Sequence, residues 1–247
     1  MTEAYFSEHL ADKFKTDHET IIINRNFNKN ELKEYSKNCL DGCIDFGVIN
    51  YSSISKYINS KKGKVVMFAE GPDELLGGYQ ADIESNKIDK IFSERKYLLP
   101  ILKNKLIKSI LIRLLKLKKN IEFEFSYEPF YTRVNHLVSP NKFLNSIVEN
   151  LDQKKLYEYG VIEKEYESIF FQLDNSQKRA LIYATKTLPD MFNLRADKGF
   201  MKHSVEVRLP FQSIELVEFF IAMPAHLRFK NDFGKYYLRK YVEKKID

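Results

Sequence analysis

Hydrophobic and polar positions follow alternating helical and strand periods over the first 80 residues of the chain. Apolar residues at helical spacing predict helices over 3–14, 30–38 and 52–58, and β-branched runs predict strands over 20–23 and 65–69. The run at 65–69 is apolar, which is typical of a strand that is buried on both faces of a parallel sheet. This α, β, α, α, β order predicts an α/β fold with a doubly wound parallel sheet.

Strand patterns become rare after about residue 80, and the rest of the chain is predicted to be mostly helical. An amphipathic helix rich in lysine is predicted over 97–119, an apolar helix over 214–223 and a last helix over 236–243. The pattern therefore divides the chain into an α/β part over 1–80 and a mainly helical part over 81–247.

Size and composition fit a folded protein with one substantial core. The chain has 247 residues, of which 44% are hydrophobic. It contains no apolar stretch of about 18 residues and no basic-then-apolar leader, so we expect no membrane span and a cytoplasmic location. Cys39 and Cys43 are the only cysteines, and we expect two reduced thiols rather than a disulfide framework or a zinc site.

The chain is basic, with 40 Lys and Arg against 34 Asp and Glu and a formal net charge of +6. This balance suits a ligand that carries phosphate, and it also suits nucleic acid. Much of the excess lies in the predicted helix over 97–119, which could contact RNA or lie on an anionic membrane surface. The preferred interpretation is a helix that packs on a core with its lysines in water, without a nucleic acid partner.

The candidate chemistry directly follows the predicted strand at 65–69. Glu70 lies at its carboxyl end, where open parallel sheets bind ligands, and a carboxylate there costs desolvation free energy unless it is paired. A glycine and a proline then end the strand, and Asp73 and Glu74 open the next helix. For these two acids, helix capping and catalytic chemistry are about equally supported, because acids favour helix N-termini.

Two long segments carry a resemblance to a known family. The segment from Phe68 to Tyr79 reads FAEGPDELLGGY, and the segment from Arg195 to Phe211 reads RADKGFMKHSVEVRLPF. The first resembles S-G-E-G-x-D-E-L-F-G-G-Y, and the second is similar to R-x-D-K/R-x-S-M-x-x-S-x-E-x-R-x-P-F-L-D. Both patterns belong to the ATP-dependent synthetase domain of the asparagine synthetase family, and they occur here in the same order. The chain is therefore identified as a member of that family.

The resemblance implies an AMP-forming carbon–nitrogen ligase with a partial doubly wound sheet of the adenine nucleotide alpha hydrolase type. Its expected substrates are ATP, a carboxylate such as aspartate, and ammonia released from glutamine. The matching positions imply that Glu70 and Lys198 are catalytic. They imply also that Gly71, Asp73 and Lys235 bind the nucleotide. Asp73 is the expected ligand of Mg²⁺, an ion that proteins usually hold with one or two carboxylates and the nucleotide's phosphates.

Some parts of the family pattern do not occur in these 247 residues. There is no S-G-G-x-D-S loop, in which small residues let backbone N–H groups close on phosphate oxygens, and no N-terminal cysteine of a glutaminase. Matching begins near Tyr5 and ends near Tyr241, so we expect a synthetase domain that is incomplete at both ends and is completed by another polypeptide. Two alternatives stay open: a non-catalytic or regulatory homologue, and a basic protein that binds RNA or a membrane surface.

Several residues depart from the two motifs. Phe68 and Phe200 are bulkier than the usual residues and are expected to narrow a nucleotide site, and Gln212 stands where the pattern has leucine. Arg195, Glu206 and Arg208 are expected to brace their loop by ion pairs, because acids and arginines that alternate in a short segment commonly pair.

Overall fold

The structure, a computed structural model, describes residues 3–23, 47–93, 172–231 and 233–246, together with the single residues 33 and 169. The chain divides into two compact units. The first unit comprises Met1–Met67 and Asn193–Arg208, and the second comprises Phe68–Phe192 and Leu209–Asp247. The separate prediction of an α/β part before residue 80 and a helical part after it stays a prediction.

The described elements combine helices with a small parallel sheet, which confirms the α/β class. In chain order they are α1 (Glu3–Phe14), α2 (Gly47–Ser60), β1 (Val65–Met67), α3 (Pro72–Leu76), α4 (Gln80–Ser93), α5 (Asn175–Ile182), a π-helix (Tyr183–Asn193), α6 (Leu194–Met201), β2 (Glu206–Arg208), a 3₁₀ turn (Pro210–Gln212), α7 (Ile214–Ala222), α8 (Ala225–Arg228) and α9 (Tyr236–Ile246).

Four helix predictions are confirmed with small changes of bounds, namely those over 3–14, 52–58, 214–223 and 236–243. The helices predicted over 30–38 and 97–119 lie outside the described residues. None of the described helices is both long and apolar enough to cross a membrane.

The first unit is built where α6 packs against α2. Gly199 lies at the contact, and a Cβ placed on it would be 2.5 Å from the Cβ of Tyr51, so only glycine fits this approach. The ring of Phe200 stacks on Tyr51 with centroids 5.5 Å apart, and the hydroxyl of Ser55 donates to the Phe200 carbonyl oxygen at 2.6 Å. Phe200 is fully buried, so its bulk fills this core rather than an open cleft.

Strands β1 and β2 pair in parallel in the first unit, with Val65 opposite Glu206 and Met67 opposite Arg208. Alternation along β2 places Glu206 and Arg208 on one face. The expected ion pair between them is confirmed, because Arg208 Nε lies 2.8 Å from Glu206 Oε1. Both side chains are exposed, so the pair contributes little to stability.

Two strand predictions need correction. The strand predicted over 65–69 ends at Met67, and it is not buried on both faces, because the Val65 and Met67 side chains are exposed, Met67 by 74%. The predicted strand over 20–23 is wrong, because these residues form no strand. Its β-branched run, with Ile22 almost fully exposed, has β propensity, but no strand in the described parts of the chain pairs with it to form a ladder.

The second unit has an apolar core made by α3, α7 and the π-helix. Its buried members are Leu75, Leu76, Leu188, Phe192, Phe220 and Met223. Helix α5 packs against α3, α4 and α7, and α8 packs against α9. Helix α3 contributes Leu75 and Leu76 to this core, whereas the side chain of Asp73 on the same helix remains partly exposed.

Helix α5 begins at a capping box. Asp174 Oδ1 accepts hydrogen bonds from the backbone N–H groups of Ser176 and Gln177, at 2.8 and 2.9 Å. The backbone N–H of Asp174 in turn donates to Gln177 Oε1. The other carboxylate oxygen of Asp174 accepts the Ala225 N–H at 3.0 Å, at the start of α8. One acid therefore caps α5 and ties it to the next part of the same unit.

Candidate functional site

Glu70 and Gly71 form the turn that leads into α3. Gly71 has φ +112°, a conformation that favours glycine, and Pro72 follows in the first turn of the helix, where a missing N–H is tolerated. The side chain of Gln212 contacts this turn, because its Nε2 donates to the Glu70 carbonyl oxygen at 3.3 Å. A Cβ on Gly71 would be 3.1 Å from Gln212 Cγ. Gln212 therefore packs closely against the backbone that carries Glu70.

An ion pair joins Asp73 on α3 to Lys235, the residue before α9. Lys235 Nζ lies 2.7 Å from Asp73 Oδ1, and the two side chains are 24% and 42% exposed, respectively. The backbone N–H of Lys235 also donates to the Leu76 carbonyl oxygen at 3.2 Å. Lys235 has φ +54°, which is uncommon for lysine. Its main chain and side chain thus both contact α3.

Three glycines allow this close approach. A Cβ on Gly234 would be 1.8 Å from the Gly77 carbonyl oxygen, and a Cβ on Gly78 would be 1.8 Å from Asp73 Oδ1. Gly77 ends α3 in the left-handed conformation, with φ +69°, and its N–H donates to the Asp73 carbonyl oxygen. A side chain at 78 or 234 would displace either the Asp73 carboxylate or the segment that carries Lys235.

Glu74, beside Asp73, has a different environment. It is buried, and the Tyr79 hydroxyl donates to its carboxylate. Burial raises the pKa of Glu74 above its ordinary value, the Tyr79 hydrogen bond opposes this, and the negative charges of Glu70 and Asp73 raise the pKa further. Within the described ranges, no side chain caps the N-terminus of α3. Capping had been one of two interpretations of these acids, and instead Asp73 contacts Lys235 and Glu74 contacts Tyr79.

A buried ion pair lies between α4 and α5. Asp82 Oδ1 is 3.5 Å from Arg179 Nε, and both side chains are almost fully buried. Burial raises the pKa of Asp82 to about 6, although the positive charge of Arg179 opposes the rise. Because the pair is closed to solvent, we assign it to the framework of the second unit rather than to a ligand site.

Lys198, the other predicted catalytic residue, lies on α6 in the first unit and is partly buried. The structure brings Asp73 and Lys235 into contact. Glu70 and Gly71 form the turn before α3, the helix that carries Asp73, in the same unit. The place of Lys198 beside the same substrate stays a prediction, as do the roles of the other four residues.

The donor set around Asp73 fits Mg²⁺ in company with a nucleotide. In the parts of the chain that the structure describes, no group of three or more His, Cys, Asp or Glu side chains is arranged to hold a metal ion. A magnesium–nucleotide complex needs fewer protein ligands, since phosphate oxygens and water fill most positions. The partly exposed Asp73 carboxylate can supply one oxygen, and Lys235 can balance the charge of a phosphate group.

Two contacts of this region did not follow from the sequence patterns. The departure of Gln212 from the motif could have drawn attention to this residue, but its hydrogen bond to the turn at Glu70 was not predicted. Arg228 had no such signal, although its guanidinium group donates to a carbonyl oxygen of α3.

Comparison with known proteins identifies the family. No curated protein and no solved structure gives a significant match to the chain. A family model described as asparagine synthase matches residues 1–247, which is the whole sequence. The chain therefore belongs to the asparagine synthase family.

Proposed function

We propose that this chain binds magnesium and pyrophosphate as part of an ATP-dependent, AMP-forming ligase that converts a carboxylate, best represented by aspartate, into an amide. The observation that carries the proposal is the Asp73–Lys235 contact of 2.7 Å. It joins a partly exposed acid to a lysine from a distant part of the sequence. A departing pyrophosphate requires both an acid that holds the metal ion and a cation that contacts phosphate. Membership of the asparagine synthase family supports the class of reaction.

In the first step, a carboxylate oxygen of the substrate attacks the α-phosphorus of ATP. The bond from that phosphorus to the bridging oxygen breaks, and pyrophosphate leaves. Asp73 would hold Mg²⁺, which when bound neutralises charge on the phosphates. Lys235 balances the charge that develops on pyrophosphate, and Lys198 contacts the activated carboxylate or a phosphate group.

In the second step, the nitrogen of ammonia attacks the acyl carbon, and the bond from that carbon to the oxygen of AMP breaks. Glu70 accepts the proton that the attacking nitrogen releases. The hydrogen bond from Gln212 to the Glu70 carbonyl oxygen supports this role, because a general base has to be held in one place. Gly71 forms this turn, with φ +112°, and is proposed to bind the nucleotide beside it.

The proposal includes a doubly wound sheet of the adenine nucleotide alpha hydrolase type. The parallel pairing of β1 with β2, two strands far apart in the sequence, supports it. Because these residues contain no S-G-G-x-D-S loop, we propose that a segment outside these 247 residues supplies the phosphate-binding loop and that a glutaminase supplies ammonia. The reaction is proposed to occur in the cytoplasm.

The test measures aspartate-dependent release of pyrophosphate and formation of the amide. The chain alone should bind Mg²⁺·ATP weakly and release no pyrophosphate, and a polypeptide that carries the phosphate loop should restore turnover. In the restored enzyme, Glu70→Gln should lower amide formation about 10²- to 10⁴-fold, and Asp73→Asn should lower pyrophosphate release about 10²- to 10³-fold.

Two matched controls make the same chemical changes at exposed residues of the second unit, Glu218→Gln and Asp190→Asn. Both should retain activity within about twofold, because solvent screens an isolated surface charge. Pyrophosphate release by the chain alone would refute the need for the loop, and full turnover in Glu70→Gln would remove Glu70 from its role. Binding of Mg²⁺·ATP without turnover in any combination would favour the regulatory homologue.

A further inference from the structure

Arg228, at the end of α8, places a charged group inside the second unit. Its side chain is 1% exposed. The guanidinium group donates to four backbone carbonyl oxygens, those of Met223 at 2.7 Å, Ile221 at 3.2 Å, Phe220 and Leu75. One side chain therefore serves two helix ends, that of α7 and that of α3.

These carbonyl groups need a donor from outside their own helices. The last four carbonyl groups of an α-helix have no partner within it, and burial removes the water that would otherwise serve them. Arginine suits this position because its planar guanidinium group carries five N–H donors. Burial lowers the pKa of Arg228 to about 10, with the charge of Asp174 opposing, so the group remains protonated at neutral pH.

Helix α3 depends on such outside contacts. It has five residues and no side-chain cap at its N-terminus, and a helix so short is not stable on its own. Arg228 donates to the Leu75 carbonyl oxygen, and the Lys235 N–H donates to that of Leu76. Arg228 and Lys235 thus hold the last turn of α3 at two neighbouring carbonyl groups.

We infer that Arg228 is a positioning residue for the magnesium–nucleotide site: it fixes α3 against the end of α7, so that Asp73 meets Lys235. This inference rests on the proposed function. Arg228 is buried and does not itself contact phosphate, so it acts through Asp73. Its substitution should weaken metal–nucleotide binding only while Asp73 is able to bind the metal.

The first test is a double-mutant cycle of Arg228→Lys with Asp73→Asn, probed with Mn²⁺·ATP. Mn²⁺ accepts the hard oxygen ligands that Mg²⁺ accepts, and its paramagnetism broadens nearby NMR signals, here that of the Gly78 amide. Lysine keeps the charge but lacks the fork that reaches two helix ends. Arg228→Lys should weaken Mn²⁺·ATP binding about 10-fold, and it should change binding less than about twofold in the Asp73→Asn background.

The second test follows amide hydrogen exchange without nucleotide. The Gly78 and Lys235 N–H groups both donate to carbonyl oxygens of α3, so Arg228→Lys should speed their exchange about 10-fold through local opening. Ile83→Ala, which truncates a buried side chain of α4, is the control for a general loss of stability and should leave Mn²⁺·ATP affinity unchanged.

Unchanged exchange at both amides, or equal effects of Arg228→Lys with and without Asp73, would overturn the inference. A different outcome would refute the proposed function. If the wild-type chain shows no Mn²⁺-dependent broadening although exchange responds to Arg228→Lys, then α3 is fixed by Arg228 but the nucleotide site does not exist.

Discussion

Asp82 should make the folded protein less stable as the pH rises through the weakly acidic range. Its carboxylate is buried in the second unit, 3.5 Å from Arg179 Nε, and one of its oxygens has no hydrogen-bond partner among the residues that the structure describes. Burial raises its pKa from 3.8 to about 6. The charges of Arg179 and Arg228 and a backbone hydrogen bond from Tyr79 oppose the rise, and the charge of Glu74 adds to it.

The sign and size of the effect follow from this pKa. Between pH 3.8 and about 6 the folded state binds a proton at Asp82 that the unfolded state has released. The contribution of Asp82 to stability is therefore highest below its unfolded pKa, and it falls until the pH exceeds its folded pKa. A shift of about two pKa units corresponds to about 3 kcal/mol, which is the penalty of ionising the buried group. Asp82→Asn, which is neutral throughout, removes this dependence.

The measurement is urea denaturation of the wild type and Asp82→Asn at several values between about pH 4 and pH 7. Relative to Asp82→Asn, the wild type should lose about 2 kcal/mol of unfolding free energy over this range, because the first part of the loss lies below pH 4. Asp190→Asn, at an exposed residue, is the control and should run parallel to the wild type. Parallel curves for Asp82→Asn would refute the reasoning, and a wild type that gains relative stability with pH would show that Arg179 outweighs burial.

Three further predictions concern other contacts. Asp174→Ala removes the cap of α5 and should cost about 1–2 kcal/mol in urea denaturation at neutral pH. Although burial opposes it, hydrogen bonds from Ser176, Gln177 and Ala225 lower the pKa of Asp174, so this cost should shrink as the pH falls through the lowered pKa; a constant cost would contradict the assignment. Gly199→Ala should cost about 1–3 kcal/mol in thermal unfolding, because its Cβ would lie 2.5 Å from that of Tyr51; an unchanged melting temperature would show that α2 and α6 can separate freely. Gln212→Leu keeps the size of the side chain but removes its hydrogen bond to Glu70; it should cost about 0.5–1.5 kcal/mol in urea denaturation, and a stabilised variant would count against that bond.

The sequence predicted helices more reliably than strands, for a physical reason. The apolar run of α7 and the periodic pattern of α1 are local signals, and both helices were located correctly. A strand depends on its neighbours. Residues 20–23 have strong β propensity but no ladder, and β1 stops at Met67 with exposed side chains because pairing with β2 extends over only three residues. Propensity alone does not show where a partner strand begins and ends.

The candidate site divides in the same way between side-chain and backbone contacts. Asp73 and Lys235 were both selected from the resemblance, and their contact at 2.7 Å joins one of its two long segments to a residue far along the chain. The role of Arg228 could not be predicted from the sequence, because its partners are backbone carbonyl oxygens and every residue type has the same carbonyl group. A motif can therefore name the groups that meet a substrate while omitting the residue that fixes their helix. Burial of a charged side chain against backbone groups is the structural feature that identifies such a residue, since its desolvation has to be offset by the contacts it makes.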